Sequence, residues 1–129
     1  MVVAAMTKHL RLVYEGPFSL NNQRFGSHWR TFHAENTRLH EWAAMAGADS
    51  GVWFDKPVKI EALMLQPKGV LPDADAIAGA CKYLIAGLAT GDVLVDDSPA
   101  YVRSIEYHAP ERGDRRSIIL LVSEAKAAA

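Results

Sequence analysis

Asp73-Ala74-Asp75 and Asp96-Asp97 place two acidic pairs on either side of an apolar stretch. Carboxylate oxygens are the ligands that hard divalent cations take, and a small cation that keeps part of its water shell leaves positions open for phosphate oxygens. Two or three such carboxylates, brought together, are the minimum for metal-assisted phosphodiester hydrolysis, in which metal ions polarise the phosphoryl group and activate a water. Lys82 follows Asp75 by two helical turns and is placed to clamp a phosphate or to stabilise charge in the transition state. The same residues have a plainer use. Asp-x-Asp ahead of a helix supplies a cap and a solvated neighbour, and Asp-Asp-Ser-Pro is a turn sequence.

These pairs need elements to position them. His9–Tyr14 alternates and ends at Glu15-Gly16-Pro17, which predicts a strand closed by a turn. The polar stretch from Ser19 to Arg30 is a loop rich in hydrogen-bonding and stacking groups. In it Asn21, Asn22, Arg24, His28, Trp29 and Arg30 are candidates for contact with phosphate or an unpaired base. From about Trp29 to Ala46, Phe32, Leu39, Trp42, Ala43 and Ala46 recur at helical spacing, with Arg30, Glu35, Arg38 and Glu41 on the other side and Gly47 as the stop. Val58–Leu65 predicts a strand entering the core. Asp75 is the expected N-cap of a second helix over Ala76–Leu88, with Gly91 beyond it. Tyr101–Tyr107 and Ser117–Ser123 read as two strands of a hairpin joined through Glu111-Arg112-Gly113-Asp114.

The order strand, helix, strand, helix, strand, strand predicts an α+β fold: one domain over residues 1–129 with a core of about 9–123, in which a small mixed sheet carries two helices on one face. His33 and His40, seven apart, are read as solvated or capping histidines rather than a metal pair, and Cys81 as a small core residue. Fourteen Lys and Arg against fifteen Asp and Glu give a formal net charge of −1, so the overall balance gives no sign of nucleic acid and any DNA contact depends on local placement. Arg24, Arg30 and Arg38, with Arg112, Arg115 and Arg116, are the residues able to build a basic face. The single cysteine excludes an intramolecular disulfide and a Cys-rich zinc site, and no run reaches the ~20 apolar residues of a membrane span. A cytoplasmic protein without a membrane partner is the expectation.

Three stretches together have a further meaning. Phe18-Ser19-Leu20-Asn21-Asn22 with His28-Trp29-Arg30, then Pro72-Asp73-Ala74-Asp75 before the helix carrying Lys82 and Gly87-Leu88, then Gly91-Asp92-Val93-Leu94-Val95-Asp96-Asp97-Ser98-Pro99, resemble in this order the RusA-like Holliday junction resolvases, often carried by phages and prophages. The likeness covers roughly residues 9 to 123. It implies a metal-dependent endodeoxyribonuclease of recombination and repair that resolves four-way and other branched DNA by paired symmetric cuts. It also implies that Asp73, Asp75 and Asp97 bind Mg2+, or Mn2+, as catalytic residues, with Lys82 as the helix lysine. Asn21, Asn22, Arg24, His28, Trp29, Arg30 and Arg38 are then the expected DNA-binding set, and a homodimer the assembly that suits a junction of near two-fold symmetry. Many members carry Asn directly after the Asp-x-Asp and a lysine one helical turn on, where this chain has Ala76 and Gly79. That departure keeps open a non-catalytic DNA-binding relative. A nucleotidyl or sugar-nucleotide transferase is the third alternative, without a Gly-rich phosphate loop to support it.

Overall fold

The computed structural model describes residues 8–24 and 29–126. In chain order the elements are β1 (His9–Tyr14), α1 (Asn21–Arg24), α2 (Trp29–Ser50), β2 (Val58–Gln66), a 3-10 turn (Ala74–Ile77), α3 (Ala78–Thr90), β3 (Val102–Tyr107), β4 (Glu111–Arg112) and β5 (Ser117–Glu124). The fold is α+β: a five-stranded mixed sheet with the two long helices packed together. Among the described residues, no helix is long and apolar enough to cross a membrane.

The sheet order is β1-β5-β2-β3, with β4 pairing with the far end of β2. Alternation makes one face of it apolar. Val58, Ile60, Ala62 and Met64 of β2 are buried, together with Leu10 and Tyr14 of β1 and Ile118, Leu120 and Val122 of β5. Leu39 and Ala43 of α2 and Ala80, Cys81, Leu84, Ile85 and Leu88 of α3 complete the core. Burying so many large aliphatic side chains, at about 1.5–3 kcal/mol each, is what holds this layer on the sheet.

The expected closing hairpin does not form. β5 pairs antiparallel with both β1 and β2, whereas β3 lies on the other side of β2 and runs parallel to it. The physical reason is in the strands: β5 is apolar on both faces and takes a central place, while β3 exposes Arg103, Ser104, Ile105 and Glu106 and suits an edge. The antiparallel part of the sheet therefore comes from β1, β5 and β2.

Helix boundaries also differ. Gly47 stays inside α2 and packs on the buried Val93; the helix ends at Gly51, whose φ of +69° is the left-handed geometry that favours glycine. Glu35, expected on the solvated side of α2, is buried against Arg24. The second helix begins with a 3-10 turn and reaches Thr90 before Gly91. Cys81 is fully buried, as expected of a small core residue.

Candidate functional site

The acidic turn is built at the end of β2. Gln66 Nε2 donates to the carbonyls of Lys68 (2.9 Å) and Val70 (3.0 Å), and Arg112 Nη2 donates to the carbonyl of Gly69 (2.6 Å), so the loop leaving the sheet is tied to itself and to β4. Asp73 follows with extended backbone (φ −65°, ψ 156°), and its carbonyl accepts from the N–H of Ala76 at 3.1 Å. Asp75 lies within the 3-10 turn rather than acting as the expected N-cap. Neither Asp73 nor Ile77, which precede the two helical segments, makes a side-chain cap.

The cap comes instead from another element. Asn21 Nδ2 donates to the carbonyl of Asp75 (2.9 Å), and its Oδ1 accepts from the N–H of Gly79 (2.8 Å). One side-chain amide thus pins the 3-10 turn and satisfies an N–H that the first turn of α3 leaves unpaired. The carboxylates of Asp73 and Asp75 are left exposed, and among the described residues neither has a cation within ion-pair distance.

Both aspartates line an open cleft of about 490 Å³ with Leu20, Asn21, Asn22, Leu71, Pro72 and Ala76. Asp97 does not line it. It lies exposed on the loop between α3 and β3, which is anchored at the other end of β2 through the Tyr101 carbonyl and Val58 N–H (2.7 Å). Asp73, Asp75 and Asp97 do not form a group whose ligand atoms all fall within 4.8 Å. Lys82 is exposed on α3, its Nζ 5.8 Å from the centre of the Tyr83 ring.

Arg24 packs against Gly79. A Cβ at position 79 would stand 3.0 Å from Arg24 Cδ and 3.1 Å from Arg24 Nε, so the arginine stem of α1 occupies that space. Its guanidinium is bound to Glu35 Oε2 and Asn36 Oδ1, each at 2.8 Å, and Glu35 Oε1 also accepts from Ser19 Oγ at 2.9 Å. Arg24 thereby holds α1 against α2 and α3. Two further arginines are engaged: Arg116 lies 3.8 Å over the Phe18 ring and donates to the Phe18 carbonyl, and Arg115 pairs with Glu15 at 3.0 Å. Arg38 and Asn22 are exposed. His28, and the side chains of Trp29 and Arg30, lie outside the described residues. His40 Nε2 is 2.7 Å from Thr90 Oγ1, which ties the two helices.

Tyr107 is half-buried beneath this region, and burial is the main cause that pushes its hydroxyl up to about 12, with Asp75 adding a smaller electrostatic effect.

A second polar group lies on strands β2 and β3. Glu61, Glu106 and His108 offer ligand atoms that all fall within 4.8 Å of one another and are able to hold a metal ion. His108 Nε2 is 2.9 Å from Glu61 Oε1 and 3.4 Å from Glu106 Oε2, and Lys59 Nζ is 3.9 Å and 3.6 Å from the same two oxygens. The hydrogen bond from His108 is the main cause holding the Glu61 carboxyl below its usual range. Sequence reasoning missed this group because Glu61 comes from a distant strand; Glu106-Tyr107-His108, two ligand types two apart at a strand end, was the available signal.

No protein-family model matches the chain, and no curated protein sequence matches it.

Proposed function

We propose that the protein is a metal-dependent endodeoxyribonuclease of branched DNA, acting as a homodimer, with Asp73, Asp75 and Asp97 as the carboxylates that hold Mg2+ or Mn2+. The observation that carries this reading is the acidic turn: two exposed carboxylates, free of capping duty and without a cation partner among the described residues, held in an open cleft by the Asn21 clamp. An all-oxygen donor set of this kind suits a hard cation that keeps waters. A bound cation of that class supplies charge neutralisation at the scissile phosphate and activation of water.

The chain's own residues do the rest. Asn21 fixes the backbone of the turn that carries Asp75, so that this part of the chain does not have to be ordered when DNA arrives. Asn22, exposed on the cleft wall, is placed to donate to a phosphate oxygen, and the exposed Lys82 and Arg38 offset the negative charge of the backbone. Asp97, placed in the set on the sequence pattern, lies outside the cleft in this structure, so its share in metal binding rests on that pattern alone and is what Asp97→Asn tests. A non-catalytic DNA-binding relative is favoured by the same separation of Asp97 from the other two aspartates.

The deciding experiment compares a labelled synthetic four-way junction with a linear duplex of the same sequence, with and without Mg2+, beside Asp75→Asn and Asp97→Asn. Paired nicks confined to the junction that require Mg2+ and both aspartates support the nuclease. Junction binding with no nicks at saturating Mg2+ or Mn2+ moves the reading to the non-catalytic relative, and indifference to branching removes both.

A further inference from the structure

The outer face of the sheet carries a metal-ligand arrangement that the acidic turn does not use. Glu61 and Glu106 are register partners on the parallel strands β2 and β3. Residues two apart on an extended strand point to the same face. His108 continues that line: its N–H donates to the Ala62 carbonyl at 2.9 Å, prolonging the β2–β3 ladder one step beyond Tyr107, and its ring turns back to both carboxylates. The backbone, rather than mobile side-chain choice, therefore brings one imidazole nitrogen and two carboxylate oxygens to one point.

The place is already one that collects positive charge. Lys59 Nζ and the His108 ring both approach the same pair of carboxylate oxygens. The three ligand residues are only partly exposed to half-exposed, with side-chain accessibilities of 27%, 52% and 42% for Glu61, Glu106 and His108, so solution ions reach them while the strands limit their movement. Lys59, at 41%, has room to swing into solvent.

We propose that Glu61, Glu106 and His108 form a binding site for a first-row transition cation of the Zn2+ class, which enters by displacing Lys59 and fastens β3 to β2. Imidazole selects zinc and its neighbours over Mg2+, whose ligands are oxygen atoms and water, so this site and the acidic turn select different ions. Three protein ligands leave a fourth tetrahedral position for water, with zinc at about 2.0–2.2 Å from nitrogen and oxygen ligands. From separations of 2.9 and 3.4 Å, small rotamer adjustments open that space once the bridging proton leaves the ring. The inference stands on the strand register and is independent of the nuclease reading.

The test is calorimetric titration of the full chain with Zn2+ at neutral pH, with excess Mg2+ present to fill oxygen-only sites. One equivalent is expected at micromolar Zn2+. His108→Ala and Glu106→Gln should each weaken it by about tenfold or more, Lys59→Met should tighten it, and Asp75→Asn should leave it unchanged. Circular dichroism of each variant separates lost ligation from lost folding, and Glu106→Gln, on an exposed edge strand, keeps the outcome readable should His108→Ala misfold. Absence of uptake at micromolar Zn2+, or uptake that survives both ligand substitutions, or uptake that is lost in Asp75→Asn, overturns the proposal.

Discussion

Asn21→Ala is the substitution that most directly probes how the acidic turn is held. The side chain makes two hydrogen bonds across a sequence separation of more than fifty residues, to the Asp75 carbonyl at 2.9 Å and from the Gly79 N–H at 2.8 Å. A net contribution of roughly 1 kcal/mol for each gives a loss of about 2 kcal/mol, or roughly thirtyfold in the ratio of folded to unfolded protein. Water in the open cleft replaces part of the exposed bond to Asp75, but the bond from the Gly79 N–H is partly buried and its donor loses its partner more completely. Urea unfolding measures the global loss. Amide exchange at Gly79 measures the local one, and it should rise more than exchange at Leu84 or Leu88 in the same helix. Asn21→Asp provides the internal control, since it keeps an acceptor for Gly79 while setting a negative oxygen against the Asp75 carbonyl. A stability within about 0.5 kcal/mol of the parent, together with unchanged Gly79 exchange, would refute the claim that Asn21 caps this turn.

Two further outcomes follow from the same architecture. Arg24→Ala takes from the Glu35 carboxylate, 10% exposed, the cation that pairs with it at 2.8 Å, leaving Ser19 as its hydrogen-bond partner among the described residues; a loss of about 3 kcal/mol is expected, with part of it recovered in Arg24→Ala/Glu35→Gln, and additivity in that double-mutant cycle would argue against a coupled pair. Burial pushes the Cys81 thiol up to about 12, and chiefly burial does the same for the Tyr107 hydroxyl, against ordinary values of 9.0 and 10.0, so the folded state holds protons that the unfolded chain gives up. Stability from these groups is complete below pH 9 and is lost as pH rises toward 12, which unfolding free energies measured across that range will show as a decline; a flat profile would exclude the linkage.

The sequence by itself determined the α+β class, the existence and type of the main elements, and most of the core. Helical spacing at Leu39 and Ala43, the apolar stripe from Ile77 to Leu88, and the alternation in Val58–Met64 are local consequences of side-chain period, and the structure buries these positions. It also set Asp73 and Asp75 side by side on one turn, because their neighbourhood is fixed by covalent distance. Tertiary structure decided everything that depends on which strands meet. The partnering of β5 with β2 rather than β3 follows from competition for the central, two-sided apolar position, which no local window reveals.

The same reason separates what was legible at the site from what was not. Asn21 in its loop looked like a contact for phosphate or an unpaired base, and Glu35 on its helix like a solvated residue. Each acquired its partner, Gly79 and Arg24 respectively, only when α1 was laid across α2 and α3. Asp97, close to the acidic turn in the sequence pattern, is kept out of its cleft by a loop anchored at Val58. Glu61 meets Glu106 and His108 solely through parallel strand register. Residue type and spacing specify what chemistry a side chain offers, whereas long-range packing determines which of those offers arrive at the same point in space.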